Sequence, residues 1–322
     1  KVNLTTGDIS NSVLTILKLF WIMILTKFLV IVVLCRVKEI KGFNYCKVDG
    51  CKPRDHTMCK YPADRPDCKV MKLGLDDEQR KEILKKHNIL RQKVARGREF
   101  NQPSAADMMK LSWNYEAEDI AQRWTERCPT VHDSCRRMKD GTAAGQNLMS
   151  LYRNTLTTNS TGVVDVCIQQ WYDEVVSMDP NAVFSFTSLY GINGSVVGDY
   201  TAIVSSDTKQ VGCGYIEKDY IQYGLKGVIL TCNYVPSGNI LNMPVYKVGA
   251  ACSACPAGSR CSTRYPGLCT NEKDEYKDIP KYRDKHKPIR AHATSIYPSL
   301  FSMLVLFVHV YCSEKALSII NI

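Results

Sequence analysis

The sequence predicts an α+β protein, with helices packed on an antiparallel sheet, that is braced by disulfides. Three observations predict it. Apolar residues repeat at helical spacing in the first half of the chain and at strand spacing in the second, and 15 of the 322 residues are cysteine. So many cysteines are typical of compartments where disulfides persist. The composition, 45% hydrophobic and 23% charged, is ordinary for a globular chain.

The distribution of basic residues argues against a nucleic-acid partner. The formal net charge is +10 at pH 7, but lysine and arginine are spread along the chain without a basic block. Nucleic-acid-binding proteins concentrate such charge on one face or in one run. We therefore expect no nucleic acid to bind.

Residues 1–41 are predicted to be a leader. If translation begins at Met23, residues 23–41 form a cleaved signal peptide with a short basic start and a short apolar core. Residues 1–22 would then be a non-native leader. The alternative is a signal anchor over Val13–Leu34, which would place two lysines inside the bilayer at a high cost.

Residues 271–322 are predicted to be a disordered or non-native tail. Their apolar run, Ser299–Cys312, is short for a transmembrane helix. The polar residues Ser313–Lys315 follow it, whereas a glycolipid-anchor signal ends in its hydrophobic tail. We expect no stable membrane insertion of the mature protein.

Residues 42–73 are predicted to depend on covalent cross-links. They contain Cys46, Cys51, Cys59 and Cys68 among Pro, Lys and Asp residues, with no hydrophobic period. A segment of this kind cannot bury a core of its own, so disulfides must hold it.

Three amphipathic helices are predicted next. The first begins at Asp76 or Asp77 and stops at Gly97. One face of it carries Ile83, His87, Leu90 and Val94, which makes His87 a packed structural histidine. The same period recurs over Tyr115–Cys128 and Val164–Met178.

The pattern then changes to that of strands. Asp199–Ser205 and Val211–Glu217 alternate between apolar and polar residues, and Gly227–Tyr234 is a β-type run. Residues 247–270 form a small Cys-rich extension with Cys252, Cys255, Cys261 and Cys269. Four thiolates at this spacing could bind zinc, but in an oxidising compartment we expect two disulfides, whose pairing the sequence leaves open.

Two ordered motifs carry a resemblance to a known family. One is Gly198–Val204 followed by Val211–Gly214, and the other is Leu230–Asn239, with the run Cys-Asn-Tyr-Val-Pro-Ser-Gly-Asn. Supporting pieces are His87-Asn88, Gly145–Leu148 and Trp171–Val175. From Phe43 to Cys269 the chain resembles the CAP superfamily (cysteine-rich secretory proteins, antigen 5, pathogenesis-related 1). Asn44–Cys46 and His132–Cys135 resemble its antigen 5 branch, found in arthropod venoms.

The resemblance implies an α/β/α sandwich with a central antiparallel sheet, over a CAP domain at residues 74–246. It also implies the disulfides Cys46–Cys59, Cys51–Cys135, Cys68–Cys128 and Cys213–Cys232. Cys167, on a predicted helix, is then the odd buried thiol of the body.

The family has a central cleft with two histidines and two glutamates that binds a divalent metal in some members. The matching positions here are His132, Gln146, Glu174 and Asp199. One imidazole remains, and zinc prefers more nitrogen ligands, so we expect no cofactor. A divalent metal on His132, Glu174 and Asp199 is the alternative.

The residues argue against hydrolase chemistry. A serine or cysteine hydrolase needs a nucleophile held against a base. The body offers His56, His87 and His132 as imidazoles, and it has no G-x-S-x-G or H-E-x-x-H motif. We expect no enzymatic activity and no catalytic residue.

The function expected from the sequence is that of a secreted, extracellular, monomeric binding protein of venom or salivary type. It would act on a host or prey protein as a toxin-like or immune-modulating scaffold, since stapled loops lose little entropy on binding. The resemblance also implies, as alternatives, a sterol or fatty-acid carrier, since some CAP proteins bind such lipids, and, less favoured, a metal-dependent enzyme or protease. Asn159 and Asn193 are predicted glycosylation sites, because each begins an Asn-x-Ser/Thr sequon.

Overall fold

The computed structural model describes residues 19–27, 43–63, 65–153, 160–220 and 225–273. The chain divides into two units, Lys1–Phe43 and Asn44–Ile322. In the first, residues 19–27 form helix α1 with exposed side chains. None of the helices described here combines the length and apolar character that crossing a bilayer requires. Most of the predicted leader and tail, and the sequon at Asn159, lie outside the described residues.

The second unit contains five helices and seven strands among its described residues. The helices are α2 (Thr57–Lys60), α3 (Asp77–Ala95), α4 (Tyr115–Thr125), α5 (Ser160–Asp173) and α6 (Gly198–Val204). The strands are β1 (Val70–Leu73), β2 (Ser112–Trp113), β3 (Gly145–Arg153), β4 (Gln210–Tyr220), β5 (Leu225–Val235), β6 (Arg260–Cys261) and β7 (Cys269–Thr270). Short 3₁₀ turns cover Tyr45–Lys47, Glu174–Ser177 and Pro180–Val183.

The central sheet lies between two helical layers. Its strand order is β1-β4-β5-β3, antiparallel throughout, and β2 joins β4 in parallel. On one face, β4 and β5 bury alternate residues such as Tyr215 and Leu230 against α3, α5 and α6. On the other face α4 lies so close that a Cβ on Gly214 would come within 2.4 Å of Gln122. This α/β/α sandwich confirms the predicted fold class.

The first predicted helix, α3, begins and ends at the residues that the sequence predicts as its start and stop. The Asp76 side chain accepts a hydrogen bond from the backbone N–H of Gln79, and the Gln79 side chain accepts one from the backbone N–H of Asp76. These two bonds form a capping box at the start of α3. The chain leaves this helix at Gly97, whose φ of +64° suits glycine. The predicted third helix, Val164–Met178, ends as an α-helix at Asp173 and continues as a 3₁₀ turn.

One predicted strand is wrong. Asp199–Ser205 alternates in sequence, yet Gly198–Val204 is helix α6. From Tyr200 to Val204 every residue is buried, so the alternation does not mark a solvent face and a core face. Five of the strands were not predicted: β2, β3, the two-residue strands β6 and β7, and β1, which lies inside the segment expected to have no core.

Among the described residues of the second unit there are six disulfides. They are Cys46–Cys59, Cys51–Cys135, Cys68–Cys128, Cys213–Cys232, Cys252–Cys261 and Cys255–Cys269. The first four are the pairs that the resemblance implies, and the last two are one of the three pairings left open for the extension. Cys167 is buried on α5 and belongs to none of the six.

Candidate functional site

The four cleft positions come from four separate elements. His132 lies on the loop after α4, Gln146 on β3, Glu174 in the 3₁₀ turn after α5, and Asp199 at the start of α6. His132 is exposed, Gln146 is buried, and the two carboxylates are partly buried. The hydrogen bonds of each decide what the cleft can do.

Gln146 connects His132 to the sheet. Its Nε2 donates to Asn233 Oδ1 at 3.0 Å and to Asp133 Oδ1 at 3.1 Å, which fixes the orientation of the carboxamide. Its Oε1 is therefore the acceptor for His132 Nδ1–H at 2.9 Å. A glutamate at this position would turn an oxygen toward two oxygens, so the local structure favours the amide.

Asp133 ties the His132 loop to the N-terminal segment. Its carboxylate accepts from Thr57 Oγ1 and from the guanidinium of Arg136, and its side chain is almost fully buried. The nearby Cys51–Cys135 disulfide joins the same two pieces of chain. Covalent and ionic contacts therefore both hold the loop that presents His132.

Glu174 caps helix α6. One of its oxygens, Oε2, accepts from the backbone N–H of Asp199 at 2.8 Å and of Tyr200 at 3.0 Å. Burial raises the pKa of Glu174, and these two N–H donors partly offset the rise. The glutamate thus satisfies two of the N–H groups that the first turn of a helix leaves open.

Asp199 is the most perturbed carboxyl of the cleft. Burial, and secondarily the nearby Glu174 carboxylate, raises the pKa of Asp199 to about 8. Its backbone carbonyl accepts from Asn147 Nδ2 at 3.0 Å. Within the described part of the chain no side-chain or backbone donor bonds its carboxyl oxygens, so the protonated form is favoured at neutral pH.

The other two histidines that the structure describes serve the scaffold. His87 is fully buried; its Nδ1–H donates to Ile83 O at 2.8 Å and its Nε2 accepts from Tyr234 Oη at 2.9 Å. Burial, with a smaller effect of Arg91, lowers the pKa of His87 to about 4. His56 caps α2 by accepting from the Met58 amide and bonds the Arg137 carbonyl through Nε2.

Comparison with known proteins places this chain in a family. The model of the cysteine-rich secretory protein (CAP) family matches residues 84–234. Venom allergen 5 of Dolichovespula arenaria is 38% identical over 213 residues, which are 63% of this chain and 98% of that protein. The chain belongs to the CAP family. Venom allergen 3 of Solenopsis invicta is also 38% identical, over 64% of this chain and 89% of its own length.

A solved CAP structure agrees with the fold. That of Na-ASP-1 superposes with a TM-score of 0.51 at 26% identity, over 65% of this chain and half of the other. The curated relatives make the chain an antigen 5-like CAP protein, in line with the motifs at Asn44–Cys46 and His132–Cys135.

The polar groups of the cleft of this CAP protein are arranged for hydrogen bonding. In the described ranges, Cys252, Cys255 and Cys269 form the one group of three His, Cys, Asp or Glu ligand atoms within 4.8 Å of one another, and all three are in disulfides. His132, Glu174 and Asp199 form no such group. Gln146 is a carboxamide and Glu174 is directed at backbone N–H groups, so the donor set suits hydrogen bonding rather than metal ligation.

Several residues that organise this CAP cleft had no role assigned from sequence. Asn233, Asp133 and Asn147 make the bonds that orient Gln146 and Asp199. Asn233 and Asp133 lie inside the family motifs, one beside Cys232 and the other beside His132. The sequence signal that could have identified them is that both side chains are polar, although the motifs around them are otherwise structural.

Proposed function

We propose that this protein is a secreted, antigen 5-like binding protein of venom or salivary type that acts on a host or prey protein without catalysis. One observation carries the proposal: three of the four cleft side chains, those of His132, Gln146 and Glu174, are engaged in hydrogen bonds to protein groups. His132 is engaged by Gln146, and Glu174 by the start of α6. Across the described residues, no imidazole is hydrogen-bonded to a Ser, Thr or Cys side chain, as a nucleophile–base pair requires.

The disulfide-braced scaffold favours a binding role. Three disulfides anchor residues 44–68 to each other and to the loop that follows α4. Loops constrained in this way lose little conformational entropy when a partner binds, which favours affinity. The six disulfides also indicate an oxidising compartment, which supports secretion.

Turnover assays on the full secreted protein test the absence of catalysis. Peptide and ester substrates are assayed with and without added zinc, beside the variant His132→Ala. We expect no turnover above that of the variant, and no stoichiometric heat in a calorimetric zinc titration. Steady turnover that is lost with His132→Ala, or bound zinc that is lost with Glu174→Ala, would overturn the proposal.

A sterol or fatty-acid carrier is the second candidate, and one observation favours it. A cavity of about 210 Å³ is lined by apolar residues that include Met178 and Ile192, and also by the polar residues Asp179, Thr187 and Ser188. This volume is below the roughly 300–1,000 Å³ usual for ligand pockets. Organic extraction of the secreted protein followed by lipid mass spectrometry separates the two, since a carrier yields stoichiometric lipid and the binding scaffold yields none.

A further inference from the structure

One face of the protein is apolar and almost without charge. Ile192 is 72% exposed and Tyr190 is 63% exposed. They belong to an apolar face made of Val176, Phe184, Leu189, Tyr190, Ile192, Val196, Ile240, Leu241 and Met243, all exposed. Asp179 is the single charged residue between Val175 and Gly198, and residues 235–246 contain none. Exposed apolar clusters of this kind mark interaction surfaces or sites of self-association.

Backbone hydrogen bonds make these segments one surface. Ile192 N donates to Ser177 O at 3.0 Å, which joins the loop tip to the turn that carries Val176. Phe186 N donates to Met243 O at 2.8 Å, and Asn242 N returns a bond to Phe186 O at 2.8 Å. The segment over 240–243 is therefore held beside Phe186, the residue that precedes the loop over 187–197.

Asn193 lies at the tip of this loop and begins a sequon. Tyr190 and Val196 bridge the loop, Gly191 N donates to Ser195 O at 2.8 Å, and Asn193 Oδ1 accepts from Ser195 N at 3.1 Å. Asn193 is exposed, and its Nδ2 bonds no group among the described residues. No atom lies within 4 Å of a Cβ placed on the next residue, Gly194, so the tip is open to an approaching reagent.

We propose that Asn193 carries an N-linked glycan and that this glycan covers the apolar face. The sequon places its first sugar beside Ile192 and Tyr190, where the C–H faces of the sugar rings can pack on the aromatic ring and their hydroxyls remain in water. A bulky, solubilising group at this point shields the apolar side chains from self-association.

The modification needs a lipid-linked oligosaccharyl pyrophosphate, the donor class of the secretory pathway. Nδ2 of Asn193 forms a bond to the anomeric carbon of the first N-acetylglucosamine, the bond from that carbon to the pyrophosphate oxygen breaks, and the lipid pyrophosphate leaves. One amide proton is released to a base, and no oxidation or reduction takes place. The proposal therefore rests on secretion of the chain.

Expression of the full chain with secretion from insect cells tests the proposal. Mass spectrometry of the peptide containing Asn193 is expected to show a glycan mass. The variant Asn193→Gln is expected to bind several-fold more of the hydrophobic dye ANS and to self-associate in light scattering. The matched control Asn159→Gln removes the other body sequon and is expected to change neither readout.

A second substitution identifies the surface responsible. In the Asn193→Gln background, Ile192→Ser with Tyr190→Ser is expected to restore low dye binding and the monomer. If Asn193→Gln is not secreted, trimming the folded wild-type glycan to one sugar with an endoglycosidase gives the same two readouts.

The results that would contradict the glycan proposal differ from those that would contradict the proposed function. Unmodified Asn193 in the secreted protein overturns the proposal, and so does a glycan whose removal changes neither dye binding nor association. A secreted, unmodified protein that dimerises through Ile192, or binds phosphatidylserine vesicles through it, assigns the face to a second copy or to a membrane. Retention of the chain inside the cell contradicts secretion itself and so the proposed function.

Discussion

Whether the side chain at position 146 carries an amide nitrogen or a second carboxylate oxygen decides what the cleft can do. The Nε2 group of Gln146 donates to two oxygens that cannot donate in return, one on Asp133 and one on Asn233. The family's metal-binding glutamate would place an acceptor there. Because this residue is an amide, a position that holds a metal ligand in the family here connects β3, β5 and the loop that carries His132.

Gln146→Glu is therefore expected to destabilise the protein, although it introduces the family residue. A buried carboxylate facing Asp133 loses two hydrogen bonds and adds repulsion, which costs about 2–4 kcal/mol at pH 7. Protonation of the introduced carboxylate relieves the repulsion, so the loss should shrink as the pH falls from 7 to 5. Urea unfolding at several pH values measures it, and a loss that does not vary with pH would contradict this account.

Asp199 gives the stability of the protein a pH dependence. Its pKa is about 8 in the folded protein and 3.8 in its ordinary state, so the folded state binds more protons between these values. Stability from this group therefore falls as the pH rises through that window, by at most about 1.4 kcal/mol per pH unit.

Asp199→Asn removes this dependence and keeps the shape of the side chain. We expect the variant to gain stability over wild type progressively from pH 5 to pH 8, measured as the difference in unfolding free energy. Asp207→Asn, at an exposed position, is the control and should show no such trend. A constant difference across the range would mean that Asp199 is ionised in the fold.

At the scale of elements, helix α6 depends on a residue from outside it. Its seven residues begin after Val197, which provides no side-chain cap. Glu174 supplies the acceptor for the amides of Asp199 and Tyr200 from an earlier turn, since the two bonds span 25 and 26 positions of the chain. An isolated segment of this length would not form a stable helix.

Glu174→Ala is expected to loosen α6, whereas Glu174→Gln is expected to preserve most of it. The alanine variant leaves two N–H groups without their acceptor, and loss of a helix cap costs about 0.5–2 kcal/mol. Glutamine keeps a carbonyl acceptor and loses mainly the charge near the helix start. Hydrogen exchange at the amides of Asp199 and Tyr200 measures the effect, and equal exchange in the two variants would contradict the capping role.

At the scale of the whole molecule, disulfides hold together parts that packing alone does not. Cys51–Cys135 closes a sequence separation of 84 residues, whereas Cys46–Cys59 closes one of 13. The longer link restrains the unfolded chain more, because the entropy of closing a loop grows with its length.

Removing the longer disulfide by Cys51→Ser with Cys135→Ser should cost more than removing the shorter one by Cys46→Ser with Cys59→Ser. Loop entropy alone predicts a difference of about 1.6 kcal/mol in unfolding free energy. Chemical unfolding of the two double variants measures it. Equal losses would mean that local contacts, not chain restraint, set the contribution of the longer link.

The chain pattern by itself determined much of this protein. Helix α3 was predictable because its stop, period and cap partners all lie within one local stretch from Asp76 to Gly97. The ordered motifs identified the CAP family, and the cysteine content indicated the oxidising compartment.

Tertiary structure decided the rest, because the deciding contacts join residues far apart in sequence. Asp199–Ser205 alternates like a strand, but burial on all sides and the Glu174 cap make it a helix. The role of Gln146 depends on Asp133 and Asn233, which only the fold brings to it. Local pattern specifies elements whose stabilising partners lie nearby in the chain, whereas the cleft is made of side chains whose partners the sheet and loops supply.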